Sequence, residues 1–328
     1  MVSFYYAVAV LLLVFFERSV AVKSVFRFIR YESCDWEKKW LANVHKWGRL
    51  SGRDWCDIVQ DPEEKRYAED ALIGISEMSA NNSTHLSDTP RHREIFSRFV
   101  YETLDVNGAV LTHYQLIEPL VQLLRYFGVC ESQSDNLLNR GYLVFDSGKD
   151  LRVKIRQSMY IDLGASTYDS GAGGLSSKWF FESYKARGLP IDRALLWEIN
   201  LHQPKDVFDQ VPGEFFHAYQ YFIIPVETRA DHPKNPFKIL KSIVRKHDFV
   251  AVKIDIDTPS IENELTDQLV ENLDIMAPLI DEFFYEHHVR SPTMMRLGWG
   301  NTVTGELEDT YKLHLKLRNR GIRSHGWP

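Results

Sequence analysis

The sequence contains few cysteines, and none of them lies close to another. Cys34, Cys56 and Cys130 are the only three in 328 residues. So small a number excludes a disulfide-dense scaffold, and the wide spacing lacks the paired cysteines of a structural zinc site. In an oxidising compartment Cys34 could pair with Cys56 and leave Cys130 free, but spacing alone does not decide the connectivity. Stability must therefore come mainly from packing.

The chain also lacks a large excess of charge of either sign. Lysine and arginine number 39 against 45 aspartate and glutamate residues, which gives a net charge of −6. Because there is no general positive field to hold a polyanion, we expect no nucleic-acid partner. Hydrophobic residues make up 44% of the chain, which excludes intrinsic disorder as the main state.

A long hydrophobic run is missing as well. The apolar stretch at residues 4–16 is thirteen residues long, short of the ~20 residues that span a bilayer as a helix. Ser19 and Ala21 then supply the small side chains that a signal peptidase recognises. We therefore expect residues 1–21 to be a signal peptide or a retained membrane anchor, which predicts a lumenal or secreted protein of the secretory pathway. Basic residues follow the run, so an anchor with the rest of the chain facing the cytoplasm stays open.

Residues 81–84, Asn-Asn-Ser-Thr, contain two overlapping acceptor patterns for N-glycosylation. The stretch is polar and typical of a surface loop. Such triplets also arise by chance, but their presence agrees with a lumenal location. The sequence thus predicts a glycoprotein.

The region from residue 22 to residue 141 has mainly helical patterns. Trp36, Trp40, Val44 and Trp47 follow helical spacing, and further helical patterns occur at 93–104 and 114–127. The polar segment 51–92 is typical of connecting structure around one or two short helices near 63–79. We therefore predict a helical N-terminal cap over residues 22–141.

From residue 142 onward, short apolar runs rich in strand-forming residues alternate with helical stretches. The strands are expected at 158–163, 193–197, 216–226, 249–256, 282–289 and 322–327, and the helices at 176–187, 202–209, 236–246, 259–275 and 307–320. This alternation predicts an α/β fold with a doubly wound, Rossmann-like and mostly parallel sheet over residues 142–328.

The first of these strands ends in an acidic residue and a glycine turn. Asp162, Gly164, Ala165 and Ser166 form the turn, and glycines 171, 173 and 174 precede the next helix. Glycine in such a turn lets the backbone approach a ligand. The following strand ends in Glu198, which is placed to accept hydrogen bonds from the hydroxyls of a ribose.

These motifs resemble those of a known family. Asp162-Leu-Gly-Ala, then Trp197-Glu198, then the run 252–257, Val-Lys-Ile-Asp-Ile-Asp, with Glu262 following, is similar to the class I S-adenosylmethionine-dependent methyltransferases, and most of all to the FkbM type. The resemblance covers roughly residues 142–328.

The resemblance implies S-adenosylmethionine as cofactor, held in a cleft at the carboxyl ends of the strands. It implies that Asp162, Gly164 and Ala165 lie near the methionine part and that Glu198 binds the ribose. Ser166, the next residue of the turn, is also assigned to cofactor binding. Asp255 would lie at the edge of the cleft. Two features depart from the family pattern: the glycine loop 166–174 is longer, and Asp257 is followed by Thr-Pro before Glu262.

A base helps methyl transfer when the acceptor is a hydroxyl, whereas alignment is the main requirement. Asp257 and His287 are our candidate catalytic residues, because both follow strands that end at the cleft. His288 is the alternative to His287, since adjacent residues of a strand face opposite sides. Asp257 with Glu286 and one histidine could instead hold a divalent cation, but we assign no metal ligand from spacing alone.

The sequence therefore predicts a methyltransferase that O-methylates a carbohydrate or another small hydroxylated acceptor. Trp299, His325 and Trp327 could line the acceptor pocket or close the edge of the sheet. A non-catalytic protein that keeps the fold for binding is the main alternative. A nicotinamide-dependent oxidoreductase is weaker, because no tight G-x-G-x-x-G turn opens the helix. Membrane association through residues 4–16 is a further expectation.

Overall fold

The computed structural model describes residues 27–50, 52–81, 83–84, 86, 89–105, 107–131, 140–145, 155–169, 176–292 and 302–327. The predicted signal or anchor segment, the glycines at 171, 173 and 174, and Trp299 lie outside the described residues. Within the described part of the chain, no helix combines the length and the apolar character that crossing a membrane requires.

The described residues form two β-sheets. The strands are β1 (Arg27–Glu32), β2 (Ser97–Leu104), β3 (Val110–Ile117), β4 (Ser158–Leu163), β5 (Arg193–Glu198), β6 (Tyr219–Ile223), β7 (Phe249–Ile254), β8 (Glu282–Tyr285) and β9 (Arg323–Gly326). Strands β1 to β3 form an antiparallel sheet in that order. The other six form a sheet in the order β6-β5-β4-β7-β8-β9, and every pair in it is parallel.

Helices connect and cover the strands. In chain order they are α1 (Asp35–Leu41), α2 (Val44–Trp47), α3 (Gly52–Val59), α4 (Pro62–Asn81), α5 (Pro90–Ile95), α6 (Leu123–Glu131), α7 (Ser176–Ala186), α8 (Pro204–Phe208), α9 (Pro236–Ile243), α10 (Pro259–Glu271), α11 (Leu273–Met276) and α12 (Leu307–Arg318). Proline begins α9 and α10, where its fixed φ suits the first turn and its missing N–H costs nothing.

The central strands of the six-stranded sheet are buried on both faces. Along β4, Tyr160 belongs to one hydrophobic cluster and Ile161 to another, because successive side chains of a strand point to opposite faces. The first cluster includes Phe180 of α7, and the second includes Leu240 of α9 and Leu265 of α10. Because helices cover both faces at this point, β4 and β7 are buried along their whole length and consist mostly of apolar residues.

The prediction for residues 158–327 is confirmed at the level of element type and order. Every expected strand and helix is present, and the sheet that they form is parallel throughout. Strand β8 is shorter than expected and ends at Tyr285. The protein is thus a mixed α/β molecule, and the sheet is consistent with a Rossmann-like fold.

The helical prediction for the N-terminal region is wrong in its second half. Residues 97–104 and 110–117 are strands of an antiparallel pair instead of parts of helices. Asp105 begins the turn between them and accepts the N–H groups of Asn107 and Ala109 through Oδ1, each at 2.8 Å. Gly108 completes this turn with φ +81°. An Asn-Gly pair between two apolar runs predicts a β-hairpin. In this region that pattern is a stronger predictor than the helical spacing of the apolar residues, which involves only a few positions.

Strand β1 also lies in the region predicted to be helical, but between β1 and β2 the chain is more helical than expected. The predicted helix at 36–47 divides into α1 and α2, and the segment expected to be mainly connecting structure contains α3 and the twenty-residue α4. Asn81, the first of the two glycosylation acceptors, is the last residue of α4 and is exposed, while Asn82 lies outside the described residues.

The disulfide links Cys56 of α3 to Cys130 of α6. The suggested pair of Cys34 and Cys56 is therefore wrong. Cys34 is a buried free thiol, and its Sγ accepts the N–H of Glu37 at the start of α1 at 3.3 Å. Helix capping, which the sequence analysis did not consider for this residue, explains its position.

A buried ionic network joins the N-terminal region to the end of the large sheet. Arg318 of α12 donates to the Tyr31 hydroxyl and to the Glu118 carbonyl, each at 2.9 Å. His325 Nδ1 lies 2.7 Å from Glu118 Oε1, and Arg323 Nε donates to Glu282 Oε1 at 3.1 Å. The small sheet is thus anchored to β9 through buried charges that are paired, as burial requires.

Candidate functional site

The candidate residues converge at the carboxyl ends of the central strands. Strand β4 pairs with β5 on one side and with β7 on the other, so the connections leaving β4 and β7 diverge at this point. In open parallel sheets, ligands bind in the crevice that such a reversal of strand order creates. The segments that follow β4, β5, β7 and β8 contribute the polar side chains described below.

Gly164 fits a position that no other residue can occupy. Its φ is +95°, and a Cβ atom added to it would lie 1.7 Å from the Asp255 carbonyl oxygen. The N–H groups of Gly164 and Ala165 both donate to the Trp197 carbonyl, at 3.0 and 2.9 Å. The turn after β4 is therefore held between the ends of β5 and β7.

Glu198 is tied to the same turn. Its Oε2 accepts the Ser166 N–H at 3.0 Å, and its Oε1 accepts the Asn200 N–H at 2.6 Å. Ser166 has a positive φ of 51°, and its carbonyl accepts the Tyr221 hydroxyl at 2.7 Å. The structure thus brings together Ser166 and Glu198, two of the residues that the sequence assigns to cofactor binding.

Asp162 lies beneath the turn and is fully buried. Its Oδ1 accepts from Lys253 Nζ at 3.0 Å, and its Oδ2 accepts from the Tyr160 hydroxyl at 2.6 Å. Burial raises the pKa of Asp162 above its usual value, and the Lys253 charge only partly opposes this effect. The carboxylate therefore supports the turn from within the core.

Lys253 connects three parts of the site. Its Nζ lies 3.0 Å from Asp162 Oδ1, 3.0 Å from Asp255 Oδ2 and 3.2 Å from the Gly164 carbonyl oxygen. Burial lowers the pKa of Lys253, but the charges of Asp162 and Asp255 outweigh burial and raise it above the usual value. This lysine was not among the residues predicted for the site, although a single lysine in an otherwise apolar strand indicates a buried partner.

Asp255 and Glu286 form a carboxyl–carboxylate pair. Burial and the charge of Asp255 raise the pKa of Glu286 well above its usual range. Burial also acts to raise the pKa of Asp255, but the Lys253 charge and a hydrogen bond with Glu286 lower it overall. Trp327 Nε1 donates to Asp255 Oδ2 at 3.2 Å, which places this tryptophan at the site.

Asp257 and His288 meet at the outer edge of the site. His288 Nε2 lies 3.6 Å from Asp257 Oδ1 and 3.9 Å from Glu286 Oε2. The opposite ring nitrogen, Nδ1, lies 2.9 Å from Glu262 Oε2. Burial lowers the pKa of His288, but the Glu262 hydrogen bond and nearby carboxylate charges raise it overall. The aspartate side chain is 72% exposed, whereas that of the histidine is 1% exposed.

His287 faces another direction. Its ring stacks on Tyr285 with centroids 4.9 Å apart, and its Nδ1 lies 2.9 Å from Thr310 Oγ1. Burial lowers the pKa of His287 to about 4. The histidine beside Asp257 is thus His288, the alternative, and the base role assigned to His287 remains a prediction without a described contact to Asp257.

Of the aromatic candidates near the C-terminus, Trp327 reaches the site and His325 does not. His325 is fully buried between Glu118 and Glu282. Each ring nitrogen of His325 faces one of these two carboxylates, so the residue has a structural role in the core. The ring of Trp327 stacks on Phe180 with centroids 5.1 Å apart, so it also closes one cluster of the core.

Comparison of the chain with protein-family models, with curated proteins and with solved structures yields no match.

Proposed function

We propose that the chain is an S-adenosylmethionine-dependent methyltransferase that acts on a hydroxyl of a carbohydrate or another small acceptor. The observation that carries the proposal is the hydrogen bond from the Ser166 N–H to Glu198 Oε2. It joins the glycine turn after one strand to the acidic end of the next, at the reversal of strand order. The proposal includes a doubly wound arrangement of helices and an N-terminal region that covers the sheet beside β9.

The residues at this point fit a nucleoside cofactor. Each Glu198 oxygen accepts one backbone N–H, and a carboxylate oxygen can accept a second hydrogen bond, so both remain able to bind ribose hydroxyls. Ile199 and Leu201 follow at once and are 63% and 81% exposed. Exposed apolar side chains beside a ribose site offer a surface for a purine ring.

S-adenosylmethionine supplies an electrophilic methyl group on a sulfonium. The chain must align the acceptor with this group and accept or share the proton of the acceptor hydroxyl. Asp257 is the exposed carboxylate at the site, and His288 beside it is held by the buried Glu262. We therefore propose Asp257 as the group that contacts the acceptor hydroxyl and His288 as the residue that positions Asp257.

The strand order favours one other function. The order β6-β5-β4-β7-β8-β9, parallel throughout, is that of sheets that bind dinucleotides, in which an acidic residue at the end of the second strand also binds a ribose. A nicotinamide-dependent oxidoreductase is therefore the second candidate. Its dinucleotide would occupy the same edge of the sheet and would also depend on Glu198.

Location in the secretory pathway is part of the proposal. The link between Cys56 and Cys130 supports it, because disulfides persist in oxidising compartments and are rare in the cytosol. The predicted signal or anchor segment and glycosylation at residues 81–84 agree with this location. A lumenal site would need its cofactor to be imported.

The test is calorimetric titration of the full-length chain with S-adenosylhomocysteine and, separately, with NADH. We expect micromolar affinity for S-adenosylhomocysteine, and at least a tenfold loss in Glu198→Gln, because the amide loses the charge that favours two hydroxyl donors. Glu264→Gln, an exposed change on α10, is the matched control and should leave affinity unchanged.

The other outcomes separate the alternatives. Binding of NADH alone would replace the methyltransferase by the oxidoreductase. Binding of neither ligand by a folded sample would favour the non-catalytic protein that keeps the fold as an interaction module. Incorporation of labelled methyl groups into a glycan fraction would remove that last alternative.

A further inference from the structure

Three ligand-type side chains meet where β7 and β8 end. One ligand atom each of Asp257, Glu286 and His288 lies within 4.8 Å of the other two. The aspartate follows β7, and the other two follow the neighbouring strand β8, so pairing of the strands brings them together. The set combines two carboxylates with an imidazole, which distinguishes it from an ordinary acidic surface cluster.

The histidine of this set is oriented as a metal-ligating histidine is. His288 is 1% exposed, and its Nδ1 lies 2.9 Å from Glu262 Oε2. Glu262 is itself fully buried, and its Oε1 accepts the Ile256 N–H at 2.8 Å. A carboxylate that holds one ring nitrogen fixes the ring and directs the other nitrogen to a metal. Here the other nitrogen, Nε2, is directed at Asp257 and Glu286.

The separations suit a small cation after a slight contraction. His288 Nε2 is 3.6 Å from the Asp257 oxygen and 3.9 Å from the Glu286 oxygen. Ligands around an ion with bonds of about 2.1 Å lie roughly 3.0 to 3.4 Å apart. Asp257, with its exposed side chain, can supply most of the required movement. Three protein ligands also leave open positions, which is the arrangement of catalytic sites rather than structural ones.

We propose that Asp257, Glu286 and His288 bind a divalent first-row transition-metal ion, with Glu262 as the positioning residue for His288. The imidazole favours Zn²⁺ over Mg²⁺ or Ca²⁺, which prefer oxygen ligands, while Mn²⁺ suits the two carboxylates and serves as the spectroscopic probe. The assignment selects the cation alternative that the sequence left open and names His288 as its histidine. With a cation bound, Asp257 and His288 would act as its ligands, and an open position of the cation would replace Asp257 as the group that contacts the acceptor hydroxyl. That role rests on the proposed methyltransferase function, whereas cation binding does not.

Electron paramagnetic resonance of Mn²⁺ tests the site directly, because the six-line signal of the free ion disappears on binding. The full-length chain is first dialysed against a chelator and then titrated without any cofactor. We expect one Mn²⁺ per chain, displaced by Zn²⁺. Asp257→Asn should weaken binding at least tenfold and leave the fold intact, because the side chain is exposed. Asp267→Asn, an exposed change on α10, is the matched control.

Glu262→Gln tests the positioning role. The amide can still hold a ring nitrogen but carries no charge, so Mn²⁺ affinity should fall by about 10- to 100-fold, with circular dichroism unchanged. Failure of the folded chain to bind Mn²⁺ or Zn²⁺, or equal binding by Asp257→Asn, would overturn the inference.

Titration with S-adenosylhomocysteine in the same samples keeps the two proposals separate. Mn²⁺ binding without cofactor binding would support the cation site and contradict the methyltransferase. Cofactor binding without Mn²⁺ or Zn²⁺ binding would overturn the cation site and leave the methyltransferase proposal standing.

Discussion

Gly164 and Asp255 approach each other so closely that a Cβ atom on the glycine would lie 1.7 Å from the Asp255 carbonyl oxygen. The contact joins the turn after β4 to the end of β7. Because the same turn continues to Ser166, whose N–H donates to Glu198, a side chain at residue 164 would disturb the candidate cofactor site.

Gly164→Ala should destabilise the protein and abolish cofactor binding. The positive φ alone costs an alanine about 1 kcal/mol, and the collision with backbone adds to it, so we expect a total loss above about 2 kcal/mol in the free energy of unfolding. Urea denaturation measures the loss. Gly108→Ala is the control, because Gly108 has φ +81° but nothing within 4 Å of an added Cβ. Equal losses for both variants would contradict the role of the close contact.

Lys253→Met should be among the most destabilising substitutions of the large sheet. It leaves the buried carboxylate of Asp162 and that of Asp255 without their common cation, and breaking a buried ion pair costs about 3–5 kcal/mol. Chemical denaturation checks this value. Lys178→Met is the control, since Lys178 pairs with Asp169 at the surface, where water screens the two charges and the pair contributes little to stability.

Addition of Asp162→Asn to Lys253→Met should recover part of that loss, because one uncompensated charge is removed with its partner. Free energies of unfolding for both single variants and the double variant complete the cycle. A double variant with the summed loss of the two singles would show that the residues do not interact.

The order of elements in the large sheet could be predicted because each strand is a short apolar run bounded by polar or turn residues. The central strands of this sheet are buried on both faces, so the pattern of β4 or β7 is continuous and easily recognised. The small sheet was missed for a different reason. Phe99 and Val100, three and four residues after Phe96, fit a helical period over a short window, whereas tertiary pairing with β1 and β3 makes them a strand.

The site could be predicted in part because parallel strands present their carboxyl ends at one edge. That rule brings Glu198, Asp255 and Asp257 to the same edge without further information. It does not decide which of two adjacent histidines turns inward. Strand β8 ends at Tyr285, so the alternation of a strand no longer applies to the two histidines. The direction of His288 depends instead on its contact with the buried Glu262 of α10, and residue spacing cannot predict a contact between such distant parts of the chain.

Reduction of the protein should destabilise it through one specific pair of cysteines. The Cys56–Cys130 link closes a loop of 74 residues, for which the loss of chain entropy in the unfolded state corresponds to about 4 kcal/mol. Dithiothreitol should therefore lower Tm markedly, and Cys56→Ser should have the same effect without reductant. Cys34→Ser is the control, because it leaves the disulfide intact.

Thiol titration checks the assignment independently. Burial raises the pKa of the Cys34 thiol to about 12, so it should react with Ellman's reagent only after denaturation. The unreduced denatured chain should show one thiol, and the reduced chain all three cysteines of the sequence. Rapid reaction of one thiol in the native protein would contradict the burial of Cys34.

Stability should decrease on the alkaline side of neutrality because of His325. Burial lowers the pKa of His325, but Glu118 and Glu282 outweigh burial and raise it above the usual value of about 6.5. Between the two pKa values, the folded state therefore keeps a proton on His325 that the unfolded state has released. The stabilising effect of this proton is complete below pH ~6.5 and is lost as pH rises through the raised pKa. Unfolding free energies between pH 6 and 9 should fall by up to about 1.4 kcal/mol per pH unit in this window.

His314 provides the comparison because its shift has the opposite sign. Burial, followed by the charges of Arg318, His287 and His325, lowers the pKa of His314 well below its usual value, so its effect is a loss of stability as pH falls below ~6.5. The pKa of His288 is raised as well, so His325→Asn should reduce the alkaline slope without abolishing it, while His314→Asn should keep that slope and reduce the acidic one. An alkaline slope in His325→Asn equal to that of the unsubstituted protein would show that the Glu118–His325–Glu282 cluster does not carry the charge.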